Sequence, residues 1–152
     1  MARLLLPTLV CFAFVSLISC NSRNLPAIGT KFEPPAQDEA TYISYDNGKV
    51  ARAYVQTISG IDYVVGINHV VTRKVVYLHT EDPDFETSEG FSLATTYLDL
   101  MNATGEKLKL DEGWGWYLTL PSGWSACFPL QDDQRQTPDL KEKVTWFCQK
   151  DF

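Results

Sequence analysis

The sequence predicts an α+β domain, mostly antiparallel β-sheet (a meander followed by a C-terminal hairpin) with one short helix. Three observations carry that prediction. Asn47-Gly48 stands between two runs of β-prone residues, the strongest short hairpin signal a sequence offers. Residues 114–128 alternate large apolar side chains with small or polar ones at period two. Between these, Leu93, Tyr97, Leu100 and Met101 fall at the i, i+4, i+7 and i+8 spacing of one helix face.

The elements follow in order. TYISYDNGKVARAYVQT folds about Asn47-Gly48, and Ser59-Gly60 marks a second tight turn before IDYVVGI. HVVTRKVVYLH, rich in Val and Tyr, completes four antiparallel strands in a meander. Ser92 is placed to cap the helix start and Gly105 its end. Thr95, Thr96 and Tyr97 also suit a strand, an alternative that leaves the helical spacing unexplained. In GWGWYLTLPSGWSACF, Trp114, Trp116, Leu118 and Leu120 alternate with Gly115, Tyr117 and Thr119, which puts the first set on one face. Pro121-Ser122-Gly123 turns the chain, and Trp124, Ala126 and Phe128 then alternate with Ser125 and Cys127. The leucines behind the tryptophans favour sheet core over an aromatic binding platform, with Tyr117, Thr119, Ser122 and Ser125 facing outward. A polar loop, PLQDDQRQTPDLKEK, leads to a last strand, VTWFCQ.

The N-terminus belongs to a different category. Arg3 precedes an apolar run over residues 4–18, interrupted by Pro7 and too short for a comfortable permanent span. A basic start, an apolar middle and small residues at the end describe a secretory signal peptide over 1–19. Residues 21–40 then hold three prolines and many small polar residues, which reads as a flexible tether with a mean reach of about 25 Å. The globular domain is expected over 41–152, long enough for one core.

Losing Arg3 with the signal takes the net charge from −6 to −7. An acidic exported chain lacks the clustered Lys and Arg of a nucleic-acid binder and suits a basic partner. Asn102-Ala103-Thr104 forms a glycosylation sequon, which leaves a eukaryotic secreted origin open.

Enzymatic signatures are sparse, and no cofactor or metal site is expected. Gly123-Trp124-Ser125-Ala126-Cys127 lacks the final glycine of a nucleophile elbow and sits in a hairpin. His69 and His79 would lie about 33 Å apart on one ideal strand, too far to share a metal. The acidic loop 81–89 collects Glu81, Asp82, Asp84, Glu86 and Glu89. An EF-hand register starting at Asp82 would need glycine where Thr87 stands and a carboxylate where Leu93 stands, so a solvated loop is the simpler reading.

Three stretches carry resemblances. Leu17-Ile18-Ser19-Cys20 resembles the lipobox of bacterial lipoproteins, which implies a lipidated Cys20 and a membrane anchor. Asn21 after it implies the outer membrane in the enterobacterial sorting pattern, and cleavage as an ordinary signal peptide is the alternative. Cys11 then leaves with the signal and Cys20 carries lipid, so Cys127 and Cys148 read as one disulfide in an oxidising compartment. Ser59-Gly60-x-x-Tyr63 resembles the motif of small periplasmic or lipid-anchored lysozyme inhibitors. That resemblance implies a loop whose Ser59 and Tyr63 hydroxyls bind the catalytic carboxylates of a basic lysozyme. A plain turn is the alternative. FETSEGFS, TYLDL and GWGWYLTLPSGW together resemble small uncharacterised bacterial exported proteins and lipoproteins, which adds architecture without activity.

The expectation is a lipid-anchored, non-catalytic binding protein of the cell envelope, with lysozyme inhibition as its most concrete form. An envelope hydrolase using carboxylates of loop 81–89, and a purely structural lipoprotein, are the alternatives.

Overall fold

A computed structural model describes residues 24–34, 40–45, 49–68, 72–112, 114–130 and 136–150. The signal peptide, Cys20, the Asn47-Gly48 turn and His69 lie outside the described residues. The fold is α+β and mostly antiparallel sheet. In chain order it contains β1 (Thr41–Tyr45), β2 (Lys49–Ile58), β3 (Ile61–Ile67), β4 (Val75–Thr80), α1 (Tyr97–Thr104), β5 (Lys109–Asp111), β6 (Gly115–Thr119), β7 (Ser125–Pro129) and β8 (Trp146–Lys150). The eight strands form one sheet in the order β1-β2-β3-β4-β8-β7-β6-β5.

Two antiparallel runs, β1 to β4 and β5 to β7, are therefore joined by the last strand. β8 pairs with β4 on one side and β7 on the other. The sheet curls into a half-barrel. The curl brings Trp114, just ahead of β6, within reach of β1: its Nε1 donates to the Ser44 carbonyl at 2.9 Å.

Because neighbouring side chains point to opposite faces of a strand, the sheet separates two apolar clusters. The larger holds Tyr54, Tyr63, Val65, Leu78, Leu118, Phe128 and Phe147, covered by Leu100 of α1 and by Phe85. The smaller holds Tyr45, Tyr77, Cys127 and Cys148, with Trp114, Tyr117 and Trp146 against them.

Residues 24–34, expected as tether, belong to the folded domain. Leu25, Ile28 and Phe32 pack on the larger cluster. Gly29 N donates to Val75 O, Val75 N to Thr30 O and Phe32 N to Arg73 O, all within 2.9 Å. Three apolar side chains among polar neighbours give too weak a local pattern to read, yet they suffice once the start of β4 offers its backbone groups. The strand expected over 69–79 is correspondingly cut short at its start. Arg73 takes a left-handed φ of 48° there and β4 begins at Val75.

The helix begins later than the spacing suggested. Thr96 is the N-cap, and its side chain and that of Asp99 form a reciprocal capping box. Ser92 instead takes part in a turn with Thr95 ahead of the helix. Gly105 closes α1 in the left-handed conformation, as expected.

Trp114 and Trp116 do not share a face. Trp116 lies with Leu118 and Leu120 against the larger cluster, and Trp114 lies against the smaller one. The cause is Gly115, at φ 153°, where a Cβ would overlap the Phe128 carbonyl oxygen. The chain reverses alternation there, at a position only glycine tolerates. Ser125, expected outward, is buried and shares a contact with Thr119 across the hairpin.

Candidate functional site

The Ser59-Gly60 turn forms as expected. Both residues have positive φ, 55° and 87°, the signature of a two-residue type I′ hairpin. Both are exposed at the tip of β2–β3. Tyr63 is a correction to the motif reading. Alternation along β3 sends its ring to the core face with Val65 and Ile67, leaving it 8 % exposed. The ring centroid lies 6.1 Å from Phe85, edge-on, and 6.2 Å from Trp124. Burial, and then the Asp82 carboxylate, push its phenol above the usual range. Ser59 and Tyr63 therefore do not present their hydroxyls together.

The carboxylates of loop 81–89 are held by different elements. Asp82 accepts from the Asp62 and Asp84 amides, each at 2.9 Å, which ties the loop to β3 and lowers its pKa. Glu89 accepts the Ser122 amide of the β6–β7 turn. Glu81 pairs with His79 at 3.0 Å. Asp84 and Glu86 are exposed. Among the described residues no group of three or more His, Cys, Asp or Glu is placed to hold a metal ion.

Cys127 and Cys148 are brought together, their sulfurs 3.3 Å apart, and both are 1 % exposed. They are free thiols here, so the expected pair of positions is present without the covalent bond. Burial, followed by the neighbouring Cys148, pushes the Cys127 thiol well up, which makes it a poor nucleophile. On the same sheet face the Tyr77 hydroxyl meets His79 Nδ1 at 3.3 Å, and His79 Nε2 meets Glu81. Both imidazole nitrogens are thus engaged away from the thiols. Nearby, Lys150 and Asp111 form a buried ion pair with side chains 4 % and 8 % exposed, and Lys150 also faces the Trp114 and Tyr117 rings.

A cleft of about 640 Å³ opens between the end of α1, the loop after it and the end of β6. Phe91, Leu120 and Pro121 give it apolar surface, and Thr104, Glu106, Lys107, Lys109 and Thr119 give it polar groups. The volume falls within the range of small-ligand sites. Leu108 packs toward the core between the two lysines. Neither ammonium takes an ion pair or hydrogen bond among the described residues. The strand β5 and this cleft had one legible trace, the alternation Lys107-Leu108-Lys109-Leu110, which sequence reasoning missed.

No protein-family model, curated protein or solved structure matches this chain. The reading of its function therefore rests on its own residues. Among the described residues no helix is long and apolar enough to cross a membrane.

Proposed function

We propose that this chain is a lipid-anchored, non-catalytic binding protein of the cell envelope that holds its ligand in the cleft beside α1. The observation that carries the reading is the cleft's chemistry. Two ammonium groups with no ion pair or hydrogen bond among the described residues border an apolar surface, and the lining contains no His or Cys. Glu89, the one loop carboxylate in the lining, is already taken up by the Ser122 amide. With Glu106 also in the lining, such a site favours a small amphipathic ligand, its anionic group set against the two lysines, over a reaction centre.

Titration with anilinonaphthalene sulfonate, an apolar anion, tests it. Saturable one-to-one binding is expected, lost in Lys107→Glu/Lys109→Glu. Unchanged binding in that double variant, or none in the wild type, overturns the cleft reading. The anchor is tested separately by palmitate labelling, expected in the wild type and lost in Cys20→Ala.

Lysozyme inhibition through the motif at 59–63 needs both hydroxyls on one exposed loop. With Tyr63 in the core, Ser59 and Gly60 alone support it. Protection of bacterial cell walls from c-, g- or i-type lysozyme at stoichiometric protein would restore that version.

A further inference from the structure

The docking of residues 24–34 changes what a lipid on Cys20 would do to the domain. A free segment of about 20 residues would let the domain drift some 25 Å from the bilayer. With Asn24 already part of the fold, three residues, and so four Cα–Cα steps, separate the anchor from the domain. Fully extended, they reach about 14 Å. The surface around Asn24 is thus held against the headgroups.

That surface differs in charge from the rest of the chain. Asn24, Lys31 and Glu33 line one hollow of about 460 Å³. Lys31 pairs with Lys74 in an isolated bridge, and Phe32 N binds Arg73 O, so three cations gather there. Lys31 and Arg73 each contact the single carboxylate of Glu33 at 2.6 Å. These two cations hold the Glu33 carboxyl below its usual range, the Lys31 contact being the larger influence. Lys74 has no ion pair among the described residues. The cluster carries a local charge of +2 in a chain whose net charge is −6. Arg23 adds a further positive charge in the sequence just ahead of Asn24.

We infer that Lys31, Arg73 and Lys74 form a membrane-apposed face that seats the domain on anionic lipid headgroups beside its anchor. Lipid surfaces attract such cations over about a Debye length, and the short connection keeps them within it. The rest of the chain carries the opposite sign, so this face is the one an anionic leaflet attracts. The inference rests on the Cys20 anchor.

The test is amine footprinting of the full lipidated protein, reconstituted in phosphatidylcholine vesicles with or without phosphatidylglycerol. Flotation first shows whether the protein stays on the membrane. A membrane-impermeant amine-reactive ester then reads each lysine by mass spectrometry. Lys31 and Lys74 are expected to react about fivefold more slowly on anionic vesicles than in detergent, the ratio a cation at such a surface is worth. Lys107, Lys109 and Lys141 should keep their rates, and high salt should release Lys31 and Lys74. Floating protein whose Lys31 and Lys74 react equally in detergent and on both vesicle types overturns the inference and leaves the anchor standing. Protein that fails to float removes the anchor reading and this inference together.

Discussion

Replacing Tyr63 separates a core residue from a contact residue. Its ring is 8 % exposed and sits among Phe85 and Trp124, themselves 4.9 Å apart centroid to centroid. Tyr63→Ala removes that ring and leaves a cavity that the neighbouring aromatic rings cannot fill without tilting. Large-to-small changes of this kind cost roughly 3–5 kcal/mol. With a urea slope of about 2 kcal/mol per molar, the unfolding midpoint falls by about 2 M. Tyr63→Phe is the informative partner. The hydroxyl makes no hydrogen bond among the described residues, so its removal changes stability by only about 0.5 kcal/mol or less. Tyr63→Leu, which keeps apolar contact, should fall between them. Urea unfolding followed by tryptophan fluorescence reads all three, since Trp124 borders the site. A Tyr63→Ala midpoint equal to wild type would refute the buried placement and return Tyr63 to the exposed motif.

Four further outcomes follow from the same structure. Gly115→Ala should destabilise the fold by about 2 kcal/mol or more, because it combines a disfavoured backbone with overlap on the Phe128 carbonyl, measured as a lowered midpoint. Asp111→Ala leaves Lys150 buried without its main counter-charge and should cost about 3–5 kcal/mol by the same assay. Cys127 and Cys148 should resist a thiol reagent in native buffer and react in denaturant; oxidation by a disulfide donor during refolding should add about 3 kcal/mol for a loop of this length, lost in Cys148→Ala. Burial holds the His79 imidazole below its usual range against the opposing pull of Glu81. The unfolded chain therefore takes up that proton first, and stability falls as the pH drops below 6.5; His79→Gln should flatten that limb.

Local chemistry accounts for what was legible. The Ser59-Gly60 turn, the period-two hairpin of β6 and β7, and the glycine that ends α1 are each specified by residues adjacent in sequence. Their backbone preferences need no partner to act. The expected pairing of Cys127 with Cys148 is met in position alone: the sulfurs lie 3.3 Å apart as free thiols. The cleft was not legible, because its walls come from α1, β5 and the end of β6, which no local pattern connects. The motif at 59–63 misled through spacing alone: a turn exposes its own residues, but the strand that follows must choose a face.

By itself, then, the sequence determined the strands of the meander and of the C-terminal hairpin, the single helix, the Ser59-Gly60 turn and the acidic balance of the chain. The tertiary structure decided the rest. It buried Tyr63, because alternation along β3 meets a core supplied by Phe85 and Trp124. It divided Trp114 from Trp116, because Phe128 leaves no room for a Cβ at Gly115. It also turned an unpatterned segment into part of the fold, because the open backbone at the start of β4 accepted residues 29–32. Each of these depends on which surfaces meet across long stretches of chain, and that is information no short run of residues contains.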